Sequence, residues 1–239
     1  MKLPDFIIAG FSKCGSTGLL VNLAQHPSVG IGALPDGSSR EMHFFDRDAN
    51  WRRGLDWYRA RFPDVPVAGE KTPAYVRDAR VMQRIAKALP EVKIVICLRN
   101  PVDRLYSWYQ HKILRWRPKA AAQWPMRRFR EFHELEAYDP ALTSCYDQVL
   151  EKNLLPFFPR ERIRFVIQER LHARGWDEVN EVLAFLGLGP ASGSLLYPNA
   201  SAYQSALAEE DRARLLEFYA AHVERTFGLL GERITEWQR

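Results

Sequence analysis

The stretch DFIIAGFSKCGSTGLLVNLAQ, residues 5–25, holds the decisive pattern of this chain. Its opening, DFIIAGF at 5–11, is a short β-branched and aromatic run that ends in a Gly/Ser-containing turn, which predicts a buried parallel strand. Its close, STGLLVNLAQ at 16–25, has helical periodicity, with Ser16 or Thr17 placed to cap and His26-Pro27 placed to stop it. Between the two, Gly15 lets the backbone approach a ligand, and the amides of Gly15, Ser16 and Thr17 are expected to point outward at a helix N-terminus. Such a terminus carries roughly half a positive charge together with unsatisfied N–H donors, so it binds phosphate or sulfate groups. Lys13 adds a full charge on the same turn. A plain βα connection with a solvated lysine is the competing reading.

This turn is not a Walker A loop, because the lysine precedes the glycine and no Gly-Lys-Ser/Thr follows. Nucleoside triphosphate chemistry is thereby disfavoured.

Outward from the turn, strands and helices alternate. VPVAG at 65–69 predicts a second strand, 78–89 a helix, KIVICL at 93–98 a central strand, and IRFVI at 163–167 a further one. Helices are expected near 141–153, over 176–186 with Gly187 as its stop, and over 207–229 with Leu215, Leu216, Phe218 and Tyr219 inward. The turn-rich residues 31–40 form an exposed loop feeding EMHFFD. Alternation of this kind implies βαβ units, hence an α/β fold with a central parallel β-sheet flanked by helices. A length of 239 residues with 46% hydrophobic and 26% charged residues suits one domain, 1–239, with a substantial core.

KIVICL runs into Arg99, where a P-loop NTPase would place its magnesium-holding Asp. A permanent cation there suits an anionic group held without metal. Asn100-Pro101-Val102-Asp103 then starts a helix to about Leu114, with Asn as cap, Pro at the first helical position and an acid in the first turn. On helical periodicity Asp103 or Arg104, Ser107 and His111 share a face, so Ser107 can share a ligand with Arg99. The alternative pairs Arg99 with Asp103 or Asp46 as a structural ion pair.

Lys plus Arg outnumber Asp plus Glu by 34 to 29, which favours anionic ligands without requiring a nucleic-acid partner. Cys14, Cys97 and Cys145 are too few and scattered for a disulfide framework and lack metal spacing, predicting a reducing compartment and no metal site. The apolar run Phe6 to Phe11, flanked by Asp5 and Lys13, is too short for a membrane span and wrongly flanked for a signal peptide. A soluble, cytoplasmic protein is the expectation.

Successive blocks, FSKCGSTGLL, HPSV, EMHFFD, GEKTPAY, LRNPVDRLYSWYQH, FFPRERIRFVIQERL and VLAFLGL, resemble those of the sulfotransferases that use 3′-phosphoadenosine 5′-phosphosulfate (PAPS). The likeness is to the heparan sulfate N- and 3-O-sulfotransferase type and its bacterial relatives, and it spans essentially the whole chain. It implies a P-loop-like PAPS-binding fold, with the 5′-phosphosulfate on Lys13, Gly15, Ser16, Thr17 and Gly18 and the 3′-phosphate on Arg99 and Ser107. It further implies Glu41 of EMHFFD as general base, Lys71 of GEKTPAY beside the transferring group, and 3′-phosphoadenosine 5′-phosphate (PAP) as product without a metal. His43 is the competing base, because other sulfotransferase branches use histidine and imidazole titrates near neutral pH; its alternative is packing under Phe44 and Phe45. The chain departs from the family at Cys14, where relatives often carry glycine, and at NASAYQSALAEE, which replaces a C-terminal cysteine pair and basic loop.

Between Lys112 and Arg130 lie seven basic and no acidic residues, interleaved with Trp116 and Trp124, a pattern that suits an anionic glycan or an ordinary solvated surface. Trp51, Trp57 and Tyr58 line an acceptor cleft or fill the core. A carbohydrate leads as acceptor, followed by a lipid or small metabolite. The rivals are a nucleotide or sugar kinase, and a non-catalytic protein that binds 3′-phosphoadenosine nucleotides.

Overall fold

A computed structural model of the chain describes residues 2–38, 41–111, 142–198 and 206–237. In chain order the helices and strands are β1 (Phe6–Gly10), α1 (Ser16–Leu23), β2 (Val29–Ile31), α2 (Asp48–Trp51), α3 (Gly54–Arg59), β3 (Val67–Lys71), α4 (Ala79–Ala88), β4 (Lys93–Leu98), α5 (Pro101–Tyr109), α6 (Tyr146–Val149), β5 (Ile163–Ile167), α7 (Gln168–Arg174), α8 (Trp176–Leu186) and α9 (Glu209–Leu230). Two compact units result, Met1–Leu98 with Lys152–Asn199, and Arg99–Glu151 with Ala200–Arg239.

The first unit contains a five-stranded sheet in the order β2-β3-β1-β4-β5. Every pairing is parallel, with Ile7 of β1 opposite Glu70 on one side and Ile94 on the other. Both faces of β1 are covered, so all five of its residues are buried and its sequence reads as a continuous apolar run rather than an alternation. Helix α1 packs on β1 and β3, and α7 and α8 pack on β5. This is the expected α/β architecture. Strands β2 and β3 lie to one side of β1, and β4 and β5 to the other. Open parallel sheets bind ligands outside the carboxyl ends of their strands at such a reversal.

Strands β1, β4 and β5 and helices α4 and α8 form where periodicity predicts them. β3 starts two residues later than expected. Pro66 has no N–H to give a ladder, and pairing on both sides of β3 begins only after it. The shift draws Glu70 and Lys71 into the strand, both buried. A Cβ on Gly69 would lie 2.3 Å from the Phe6 ring, so a glycine is what lets β3 close on β1. β2 and α7, absent from the sequence expectation, are short elements: β2 spans three residues, too few for a periodic signal, and pairs with β3.

The second unit packs Val102, Leu105, Tyr106 and Tyr109 of α5 with Cys145, Leu215 and Tyr219, and Leu216 and Phe218 of α9 rest partly buried on that cluster. Asn100 caps α5 as expected, its side chain accepting from the amides of Val102 and Asp103 at 3.0 and 3.4 Å. The helix expected near 141–153 is realised as α6 followed by a π-turn over Leu150–Leu154. All three cysteines are buried as free thiols. Among the described residues no helix is long and apolar enough to cross a membrane.

Candidate active site

Where β1 ends, the chain turns through Lys13 at φ 74° and Gly15 at φ 81°. Gly15 itself is the N-cap of α1, and no side chain caps the helix, contrary to the capping expected of Ser16 or Thr17. The reason is geometric: a left-handed residue is needed to swing the chain from strand into helix, and glycine adopts it without a Cβ penalty. The first intrahelical bond runs from the Leu19 amide to the Gly15 carbonyl at 3.0 Å, which leaves the amides of Ser16, Thr17 and Gly18 without an i−4 partner in the helix. Cys14, where the resembling enzymes often carry glycine, is 1% exposed and sits inside the fold, where burial pushes its neighbour Cys97 up in pKa.

Opposite the turn, Lys71 ends β3 with its side chain buried. Its ammonium donates to Thr17 Oγ1 at 3.2 Å and to Glu41 Oε1 at 3.4 Å. One lysine therefore joins the first turn of α1 to the carboxylate of EMHFFD. The other oxygen of Glu41 lies 3.2 Å from His43 Nε2, and His43 Nδ1 lies 2.7 Å from Asp46 Oδ2.

Charge follows from these contacts. The hydrogen bond with Asp46, and then that with Glu41, outweighs burial and raises the His43 pKa from 6.5 to about 9. The same His43 contact, with help from Lys71 and against the opposing effect of burial, holds Glu41 below its ordinary carboxylate value. At neutral pH a protonated His43 therefore stands beside an ionised Glu41. His43 is engaged with two carboxylates and is not merely packed under Phe44 and Phe45.

The segment that carries Glu41 and His43 belongs to no ladder, so side chains satisfy its backbone. Thr72 Oγ1 accepts from the amides of Met42 at 3.1 Å and His43 at 3.4 Å, and the Tyr75 hydroxyl accepts from Phe44 N at 2.8 Å. Asn50 donates to the carbonyl of His43 at 3.0 Å, and Arg84 to that of Phe45 at 3.0 Å. His43 stands at φ 49°, a left-handed conformation that costs a non-glycine residue about 1–3 kcal/mol and persists only when its surroundings impose it. Beneath it Phe44 stacks on Tyr58 at 4.3 Å, and Trp51 and Trp57 pack against Phe44 at 5.4 and 6.0 Å. Tyr58 is fully buried and belongs to the core, whereas Trp57 is partly exposed with the guanidinium groups of Arg53 and Arg61 each 4.9 Å from its ring.

The first unit thus brings Thr17, Glu41, His43 and Lys71 together, with Lys13, Gly15, Ser16 and Gly18 on the same turn and helix start. Arg99 and Ser107 belong to the second unit: Arg99 directly follows β4, its carbonyl accepting from the Tyr146 hydroxyl at 2.8 Å, and Ser107 is a buried residue of α5. Of the acids offered as partners for Arg99, Asp103 is engaged by Arg212 and Asp46 by His43. The basic stretch Lys112 to Arg130, with Trp116 and Trp124, lies outside the described residues, as do residues 199–205 of NASAYQSALAEE.

Two participants escaped the sequence reading, and Asp46, offered there only as a partner for Arg99, pairs with His43. Asp46 lies three residues beyond His43 in the same block, so spacing alone offered a signal for it. Glu70 was hidden by the late start of β3. Gln168, whose Cγ is 3.2 Å from where a Gly15 Cβ would stand, begins α7 and is brought to the turn only by the fold.

Comparison with known proteins follows the same lines. Residues 3–206 match the family described as the sulfotransferase domain. The chain is 33% identical over 217 residues, 84% of its length, to heparan sulfate glucosamine 3-O-sulfotransferase 5 of Mus musculus, of which it covers 58%. It is 29% identical over 236 residues to the human bifunctional heparan sulfate N-deacetylase/N-sulfotransferase 3, covering 90% of this chain and 26% of that protein. A crystal structure of a sulfotransferase from Alicyclobacillus acidocaldarius superposes over 100% of both chains with a TM-score of 0.76 at 26% identity. With its turn, parallel sheet and matched span, the chain belongs to the sulfotransferase domain family, and it spans only part of the length of the curated relatives it matches.

Proposed function

We propose that this enzyme takes its sulfuryl group from PAPS and delivers it to a hydroxyl or amine of a carbohydrate acceptor, with Glu41 as general base. The observation that carries the reading is the Lys71 ammonium, placed between Thr17 Oγ1 at 3.2 Å and Glu41 Oε1 at 3.4 Å. A cation at the junction of an anion-binding turn and a carboxylate suits a reaction in which a proton is removed on one side while negative charge develops on the other.

PAPS supplies the electrophilic sulfur and a phosphate leaving group. Glu41 removes the proton of the attacking oxygen or nitrogen as its bond to sulfur forms, and the electrons of the breaking S–O bond go to the 5′-phosphate of departing PAP. Lys71, Lys13 and the amides of Ser16, Thr17 and Gly18 offset charge on the sulfuryl and phosphate oxygens. Arg99 and Ser107 take the 3′-phosphate. His43, with a pKa raised to about 9, is protonated at neutral pH and has no capacity to accept a proton there, which favours Glu41 over it as base. A carboxylate held below its usual range is ionised throughout the physiological span.

For the acceptor, support comes from the heparan sulfate enzymes among the relatives and from Trp57 with Arg53 and Arg61, an indole and two guanidinium groups suited to an anionic sugar. The test is transfer of labelled sulfuryl from PAPS to a panel of N-acetylated, N-unsubstituted and sulfated glucosaminoglycans, alongside small phenols and alcohols. Label in a glycan is the expected result. Label only in the small acceptors removes the carbohydrate, and phosphoryl transfer from ATP with no transfer from PAPS overturns the donor.

A further inference from the structure

Behind the site lies a second, wholly buried carboxylate. Glu70 is 1% exposed, and three hydroxyl groups converge on it: Tyr58 at 2.6 Å and Tyr75 at 3.1 Å on Oε1, and Thr72 at 2.6 Å on Oε2. An ionised carboxylate only accepts, so each hydroxyl must spend its single proton on Glu70. The oxygens of Thr72 and Tyr75 are left with lone pairs alone, and these accept the amides of Met42, His43 and Phe44.

We propose that Glu70 is a positioning residue for the base: by drawing in the hydroxyl protons of Thr72 and Tyr75 it sets the hydrogen-bond polarity that holds the Met42–Phe44 backbone, and with it Glu41 and His43, in place. The proposal rests on the reading of Glu41 as general base. Its geometric force comes from His43, whose left-handed backbone at φ 49° has to be imposed from outside, and whose own amide is one of the three captured. Thr72 and Tyr75 can serve as acceptors only while something else takes their protons. Glu70 is the group placed to do so. Burial, reinforced by the nearby charge of Asp46, raises its pKa to about 7 against the lowering effect of the three hydroxyls, so the anion remains accessible at neutral pH.

Glu70→Gln tests this with almost no change of shape. A glutamine turns one carboxylate oxygen into a donor, which then faces a hydroxyl whose oxygen already accepts backbone amides or whose proton has nowhere else to go. The experiment combines residue-resolved amide hydrogen exchange, turnover, and calorimetric binding of PAP for the wild type, Glu70→Gln, Thr72→Val, Tyr75→Phe and Glu41→Gln. In Glu70→Gln the amides of Met42, His43 and Phe44 should exchange about tenfold faster, the protection expected of one lost hydrogen bond, while amides of β4 stay protected. Turnover should fall about tenfold or more with PAP affinity within about twofold, because a displaced base impairs chemistry and not donor binding. Tyr75→Phe should release Phe44 alone, and Thr72→Val only Met42 and His43; this pair carries the test if Glu70→Gln fails to fold.

Unchanged exchange at the three amides overturns the proposal whatever turnover does. Faster exchange with wild-type turnover also overturns it, and Glu41→Gln then shows what has failed. If Glu41→Gln is near wild type, the base assignment has fallen as well; if it is inactive, only the positioning role has.

Discussion

Lys71 donates to Thr17 across 3.2 Å and 54 residues of sequence, tying the end of β3 to the first turn of α1. The contact places a buried ammonium at the positive end of a helix, an arrangement that mutual repulsion disfavours unless an anion is present to compensate. Glu41 supplies one such anion, and a phosphosulfate group would supply another. Lys71→Met keeps most of the side-chain volume and removes the charge. Turnover should fall about 10²- to 10³-fold, the loss usual for one preorganised electrostatic contact, as read from initial rates at saturating donor.

Glu41→Gln keeps the shape and abolishes proton acceptance. Turnover should drop about 10²- to 10⁴-fold with PAP affinity nearly unchanged by calorimetry. A near-normal rate would move the base elsewhere.

His43 couples the site to pH. Its folded-state pKa, about 9, lies above the unfolded value of 6.5, so its stabilising contacts are fully present below pH 6.5 and are lost as pH rises through about 9. Asp46→Asn removes the largest cause of that shift. Urea midpoints for the wild type and Asp46→Asn should therefore differ most at and below pH 6.5, and the gap should narrow as pH approaches 9. A gap that is constant across this window would mean that the pair is electrostatically silent.

Gly15→Ala places a Cβ at φ 81° and 3.2 Å from Gln168 Cγ. The backbone strain alone should cost about 1 kcal/mol or more, visible as a lower unfolding midpoint. Because the same residue caps the helix start proposed to hold the 5′-phosphosulfate, PAP affinity should fall in parallel.

Arg99→Met tests the assignment of the 3′-phosphate. Calorimetry with PAP and with AMP should show the wild type preferring the bisphosphate, and the variant losing about thirtyfold of that preference, or on the order of 2 kcal/mol. Equal loss for both nucleotides would remove the 3′-phosphate from Arg99.

Much of this protein is written locally. The runs FIIAG, KIVICL and IRFVI became β1, β4 and β5 because a strand covered on both faces needs only a short β-branched apolar segment between turn residues. Asn100 and Pro101 set the start of α5 through the N-cap bond and a fixed φ, which depend on neighbours in the chain alone. Gly15 was legible as the residue at which the chain turns from strand into helix for the same reason, and the order of the blocks carried the family.

Tertiary structure decided what distant residues do to one another. Whether Glu41 is a base or a surface acid depends on Lys71 and His43, and whether Glu70 is a buried anchor or a strand-end charge depends on Tyr58, Thr72 and Tyr75. No local pattern encodes this, because a central parallel strand buried on both faces shows no polar alternation to mark which side chain turns inward. Burial and pairing, which set the charge of each group, exist only once β3, α1 and the Glu41 segment have been brought within hydrogen-bond reach.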